Sequence, residues 1–150
     1  KVLAAIGERF EREGAPRNLT TLNPIAAGDM YGIKGIDHLA RPGLLARILA
    51  GSYPSGPSSL PMPAIWHLVV DNQVEAYNIP SGILFQLHRA AAVGQPGVLT
   101  DVGVDTFMDP RRNGGRMNRR TTEDIVDVGR REGWTVVSMR DDWTTIFGEH

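Results

Sequence analysis

Apolar periodicity along the 150 residues switches repeatedly between helical and strand spacing, and this alternation constrains the fold more than any other feature. Val2, Leu3, Ile6 and Phe10 recur at helical spacing over residues 2–13, leaving Glu8, Glu11, Arg12 and Glu13 for the other face. Gly14, Ala15 and Pro16 then stop that helix, because Gly suits the residue after a helix end and Pro cannot continue one. Residues 18–25 supply a β-forming run in Leu19, Thr20, Thr21 and Leu22, closed by Pro24. Residues 26–43 hold four glycines without a clear period and read as a long loop, a kind of segment that in compact domains is disproportionately functional.

Between Gly43 and Gly51 the spacing of Leu44, Leu45, Ile48 and Leu49 predicts a short helix. Residues 52–63, rich in Pro, Ser and Gly, read as a surface excursion rather than a linker, since neither half of the chain alone has a complete set of elements. A helix over 64–72 places Ile65, Leu68 and Val69 on one side. A strand follows over 74–79, turned by Pro80 and Gly82. Ile83, Leu84, Leu87 and Ala91 then mark a helix over 83–93, stopped by Gly94. Residues 98–104 form a further apolar strand, and Gly103 opens another loop. The order predicts an α/β domain, an open three-layer α/β/α sandwich with a mainly parallel sheet. Sites in such sheets lie at the carboxyl ends of strands, which singles out the loops 24–35, 78–82 and 103–115.

Composition narrows the function classes. Hydrophobic residues at 41% and charged residues at 22% are those of an ordinary folded domain, so residues 1–150 are expected to form one α/β unit. Lys and Arg number 16 against 17 Asp and Glu, so no net field favours nucleic acid or an anionic membrane as partner. Cysteine is absent, which excludes a disulfide framework, a thiolate zinc site and a cysteine nucleophile. No apolar run reaches the roughly 18 residues of a membrane span, and the first residues form an amphipathic helix rather than a secretory signal. A cytoplasmic location is expected. The chain opens on Lys1 inside a helical pattern, so a fragment is expected.

His38, His67 and His88 have no second ligand at a spacing that would pair them on one helix face, so no metal site is expected. No G-x-G-x-x-G or Walker pattern exists, which removes those routes to nucleotide binding. Asp101, Asp105 and Asp109 punctuate the passage from strand to loop, with Asp109 and Pro110 suited to a turn. Arg111, Arg112 and Arg116 around Asn113, Gly114 and Gly115 make a basic turn that either holds a phosphate or is simply solvated.

The runs PRNLTTLNPIAAGDMYGIKGIDHLARPGLLARILAGSY, VEAYNIPSGILFQLHRAAAVGQPGVLTDVGVDTFMDPRRNGGRMN and TTEDIV together resemble the amino-terminal, alpha-type half of the acyl-CoA:acetate/3-ketoacid CoA-transferase family. The resemblance covers about residues 16–128 and rests on AYN-x-P-x-G, on PG-x-x-S/T-x-x-G-x-x-T-F-x-DPR and on GG-x-x-N. It implies transfer of coenzyme A from an acyl-CoA to a short-chain carboxylic acid. In that chemistry a glutamate carboxylate attacks the thioester, and a mixed anhydride gives way to a glutamyl-CoA thioester. The family's glutamate belongs to a carboxy-terminal half or beta-type subunit, and none of Glu8, Glu11, Glu13, Glu75, Glu123, Glu132 or Glu149 matches its glycine-flanked motif. The family pattern also begins with a strand and glycine-rich loop ahead of the helix at residues 2–13.

By the same resemblance the chain's share of the site would be Asn78, Pro80, Ser81 and Gly82 from one loop, with Gly103, Asp105, Thr106 and Phe107 from the other. Coenzyme A would be a substrate, with no permanently bound cofactor, and the expected state is an oligomer. Many relatives carry Gln at the position of Ser81 and Gly at that of Asp105. Ser81 has two readings, a side chain facing the thioester or a cap for the helix starting near Ile83. Residues 129–150 depart from the family pattern, although 134–139 alternates like a strand after a turn at Gly133. The alternative function is a non-catalytic fragment or subunit that binds coenzyme A or a partner half. A sugar-phosphate isomerase or sensor on a similar fold ranks below both.

Overall fold

In the computed structural model, residues 1–28, 34–57, 59–128 and 135–138 are described, with side chains through Val126. Helix α1 (Val2–Glu13) leads to β1 (Leu19–Asn23), a 3-10 turn (Gly35–Leu39), β2 (Leu45–Ala50), α2 (Ala64–Val70), β3 (Glu75–Asn78) and α3 (Ser81–Ala92). Strands β4 (Gly97–Thr100), β5 (Val126–Val128) and β6 (Thr135–Ser138) follow. The first three strands form a parallel sheet in the order β1-β2-β3, and the other three an antiparallel sheet in the order β4-β6-β5. The α/β class and the parallel sheet therefore match the sequence reading, with a second, smaller sheet added.

Alternation along β2 and β3 builds two cores. Ile48, Ala50 and Ala76 face one way, toward Ile65, Leu68 and Val69 of α2 and Leu3, Ile6 and Phe10 of α1. Leu49 and Tyr77 face the other way, toward Ile83, Leu84 and Leu87 of α3, with Leu22, Val98 and Val126 closing that side. The parallel sheet thus lies between helices on both faces. Each fully buried Leu or Ile contributes roughly 1.5–3 kcal/mol through the water it no longer orders.

The helix expected over residues 43–51 is corrected to strand β2. A central parallel strand is buried on both faces, so its apolar run is nearly continuous and can mimic helical spacing. A bulge completes the mimicry. Leu19 pairs with Leu45 and Thr20 with Arg47, leaving Ala46 as an extra residue, so Leu45 and Ile48 share one core although they stand three apart. The strand expected over 98–104 stops earlier, at Thr100, where its hydroxyl accepts a hydrogen bond from the Val102 N–H at 3.1 Å and turns the chain. The expected strand over 134–139 corresponds to β6, whereas the turn at Gly133 and residues 141–150 lie outside the described residues.

The segment read as a long loop carries structure of its own. Gly7 is the buried residue of α1, and a Cβ there would overlap the His38 carbonyl oxygen, so α1 lies directly on the 3-10 turn. Arg41 reaches back to Glu11 at 2.7 Å across the same contact. Asp37 accepts from the N–H groups of Ala64 and Ile65, both at 3.0 Å, and so satisfies free donors at the start of α2, whose own cap residue Pro63 has no side chain to offer. The Pro-rich excursion is likewise pinned. Tyr53 is buried and donates to the Tyr77 carbonyl at 3.1 Å, and the Trp66 indole donates to Pro54 at 2.9 Å. Burial pushes the Tyr53 phenol well above its usual range.

Strand β3 is flanked on its outer side by residues 115–121. Met117 N–H donates to Ala76 at 2.9 Å, Tyr77 and Arg116 form an antiparallel bridge, and the Thr121 hydroxyl accepts from the Ala76 N–H at 2.8 Å. Among the described residues nothing pairs with the outer side of β1, which runs beside a groove of about 780 Å3 lined by Leu3, Ile6, Thr20, Arg47 and His88.

Candidate active site at the strand ends

The carboxyl ends of the three parallel strands converge. Gly51 N–H donates to Asn23 at 2.9 Å and Ile79 N–H to Ala50 at 3.0 Å, so the ladder continues one residue beyond each strand. Pro80 is the cap residue of α3 and Ser81 its first residue, with no side-chain capping bond. Ile83 and Leu84 N–H both reach the Pro80 carbonyl, leaving the N–H groups of Ser81 and Gly82 without an acceptor inside the helix. Gly82 is exposed, and a Cβ there would meet nothing within 4 Å. The amino end of a twelve-residue helix, whose Ser81 and Gly82 N–H groups meet no backbone acceptor among the described residues, therefore lies beside the Ser81 side chain.

Loop 103–115 comes against this turn. Asn78 N–H donates to the Gly115 carbonyl at 2.8 Å, and a Cβ at Gly115 would lie only 2.8 Å from the Asn78 oxygen. With φ at 73° as well, position 115 tolerates only glycine at low cost. Two of the three loops that sequence reasoning selected, 78–82 and 103–115, are thus adjacent in space.

Asp109 organises the second loop from within. Its carboxylate, 1% exposed, accepts from Asp105 N–H and Arg111 N–H at 2.9 Å each and from the Arg111 guanidinium at 2.6 and 2.9 Å. Its carbonyl accepts from the N–H groups of Arg112, Asn113 and Gly114. The Arg111 guanidinium, helped by the Asp105 N–H, holds the Asp109 carboxyl far below the usual carboxylate range. The bonds to Arg111 and to the following N–H groups bear out the turn reading of Asp109 and Pro110.

The other loop residues differ in placement. Asp105 has φ of 64°, in the left-handed region where the resemblance expects Gly and where Asp is tolerated. Its carboxylate is 79% exposed and faces Arg112 at 3.6 Å. The Thr106 hydroxyl donates to the Gly103 carbonyl at 2.6 Å, and Phe107 is half exposed. Of the basic turn, Arg111 pairs with Asp109, Arg112 with Asp105 and Arg116 with Asp124.

Two features had no clear sequence signal. Arg47, in the middle of β2, pairs with Glu75, the first residue of β3, at 2.6 Å and also with Glu123. Gly51 enters the sequence reading only as the end of the helix expected over 43–51, yet a Cβ there would overlap both the Pro24 carbonyl oxygen and Ser81 Oγ, and would lie 3.0 Å from Ser81 Cα. Neither contact can be found without knowing the strand order.

The family model described as Coenzyme A transferase matches residues 10–137. The chain is 39% identical over 127 residues to the acetate CoA-transferase YdiF of Escherichia coli and 35% identical over 128 residues to the caffeate CoA-transferase of Acetobacterium woodii. Each alignment covers 85% of this chain and 23% of the relative. A crystal structure of the Escherichia coli acyl-CoA transferase YdiF, a thioester complex with CoA, superposes with a TM-score of 0.80 at 34% identity, over 91% of this chain and 26% of that one. The chain spans about a quarter of the length of these relatives.

Proposed function

Since the chain belongs to the coenzyme A transferase family, we propose that it supplies one wall of a site that moves coenzyme A from an acyl-CoA to a short-chain carboxylic acid. The observation that carries this reading is the junction of loops 78–82 and 103–115 through Asn78 and Gly115, at the carboxyl ends of a parallel sheet. The nucleophile is a glutamate outside residues 1–150. Its carboxylate adds to the thioester carbonyl, the carbon–sulfur bond breaks, and coenzyme A thiolate leaves a mixed anhydride. The thiolate then attacks the glutamyl carbonyl, releasing the donor acid and forming the glutamyl-CoA thioester, and the acceptor carboxylate repeats the steps in reverse.

Residues of this chain act on the oxygen that gains charge when the carbonyl is attacked. The Ser81 and Gly82 N–H groups at the amino end of α3 favour that charge, and the Ser81 hydroxyl reaches it through a water. Asn78 and Pro80 set the turn that presents them, and Gly103, Asp105, Thr106 and Phe107 border the opening where the carboxy-terminal half or beta-type subunit docks. A carboxylate at Asp105, faced by Arg112 at 3.6 Å, disfavours an acid substrate on that border.

The placement of the glutamates supports the companion reading that the chain by itself binds without catalysing. Glu75 and Glu123 are held by Arg47, and Glu11 and Glu13 by arginines on or beside α1. The test is mass spectrometry after incubation with an acyl-CoA, with and without the glutamate-bearing half. A glutamyl-CoA adduct on that half, formed only in the presence of this chain, is expected. An adduct on a glutamate of residues 1–150 would overturn the assignment.

A further inference from the structure

We propose that Gly51 is a positioning residue for the Ser81 hydroxyl, an inference that rests on the reading of the strand-end crevice given above. Gly51 is the first residue after β2, and its N–H is tied to the Asn23 carbonyl at 2.9 Å. On its other side the Ile79 N–H is tied to Ala50 at 3.0 Å, so the β3–α3 turn is stitched to the end of β2 by backbone. Between these two bonds the space that a side chain at position 51 would fill is occupied by the Pro24 carbonyl oxygen and Ser81 Oγ, with Ser81 Cα 3.0 Å away. Two of these three atoms belong to the backbone and cannot rotate aside. The Ser81 side chain therefore rests in a niche that exists because residue 51 has no Cβ, and a methyl at position 51 would drive the hydroxyl from its present position. Gly115 closes the turn from the loop side, where its Cβ would approach the Asn78 carbonyl at 2.8 Å. A hydroxyl that must reach a developing oxyanion through one water depends on that position, since a shift of about 1 Å in a polarising group can cost on the order of 100-fold in rate.

The experiment is a double-mutant cycle in the complete enzyme, this chain together with its glutamate-bearing half, using Gly51→Ala, Ser81→Gly and both combined. Ser81→Gly is expected to lower kcat by about tenfold or more while KM for the acyl-CoA stays within about threefold. Gly51→Ala is expected to reproduce that pattern, and the combination to be no slower than Ser81→Gly alone, because both changes act through one hydroxyl. A further loss of kcat in the combination, or full kcat in a folded Gly51→Ala enzyme, would overturn the positioning role while leaving the crevice intact. A Gly51→Ala chain that does not accumulate as folded protein would overturn the positioning role as well, since it would make position 51 a requirement of the Pro24 backbone rather than of the Ser81 hydroxyl. Unchanged kcat in Ser81→Gly would instead overturn the reading of the crevice itself.

Discussion

Ser81 opens α3 with Pro80 as the cap, so its hydroxyl makes no bond to the helix start and its removal breaks no capping interaction. Ser81→Ala should therefore change stability by less than about 0.5 kcal/mol, read as a denaturant midpoint, whereas loss of a true cap costs about 1 kcal/mol. A drop of the larger size would restore the capping role. Asp109 is the reverse case, a loop carboxylate whose importance is to the fold of the site. Its carboxyl is held well below the usual range by Arg111, so its contribution is present above the unfolded-state pKa near 4 and disappears as pH falls below it. Melting curves from about pH 7 to about pH 3 should show a falling midpoint, and Asp109→Asn should flatten part of that fall. An unchanged slope would mean that other carboxylates carry the acid sensitivity. The turn around Ser81 was legible from Pro80 and Gly82, but its neighbour Gly51 was not, because their contact depends on which strand lies beside which.

Elements were legible where one face is apolar and the other polar, as in α1 and α3, and illegible where burial is two-sided, as in β2. The bulge at Ala46 made matters worse by breaking strict alternation. Contacts between elements were hidden for a different reason. Asp37 caps α2 from 27 residues earlier in the chain, and local sequence cannot signal a cap that arrives through space. Asp37→Ala should cost about 1 kcal/mol, within a range of roughly 0.5–2, and amide exchange should accelerate first at Ala64 and Ile65. Equal exchange at those amides would show that the carboxylate does not hold the helix. Gly7 gives a sharper test. On helix propensity alone Gly7→Ala should stabilise α1 by up to about 1 kcal/mol, but the added methyl would strike the His38 carbonyl, so a lower melting temperature is expected. A rise would mean that α1 can lift from the 3-10 turn at no cost.

At the scale of the molecule the described residues hold two sheets and two cores. Purified alone, the chain should show no transfer of coenzyme A from acetoacetyl-CoA to acetate, and activity should return on mixing with the glutamate-bearing half. Transfer by the chain alone would refute the division of labour. Phe85, Leu99 and Phe107 are each about half exposed, on α3, β4 and loop 103–115, and are suited to contact with a partner. The flank of β1, with which no described residue pairs, has a different bearing, on how the isolated chain survives in a test tube. Leu19–Asn23 contains no charge and no proline, the residues with which proteins guard a sheet margin against recruiting further copies. Separated from whatever normally lies along it, that margin is a growth front, and the colloidal lifetime of a concentrated sample should be set there rather than by unfolding.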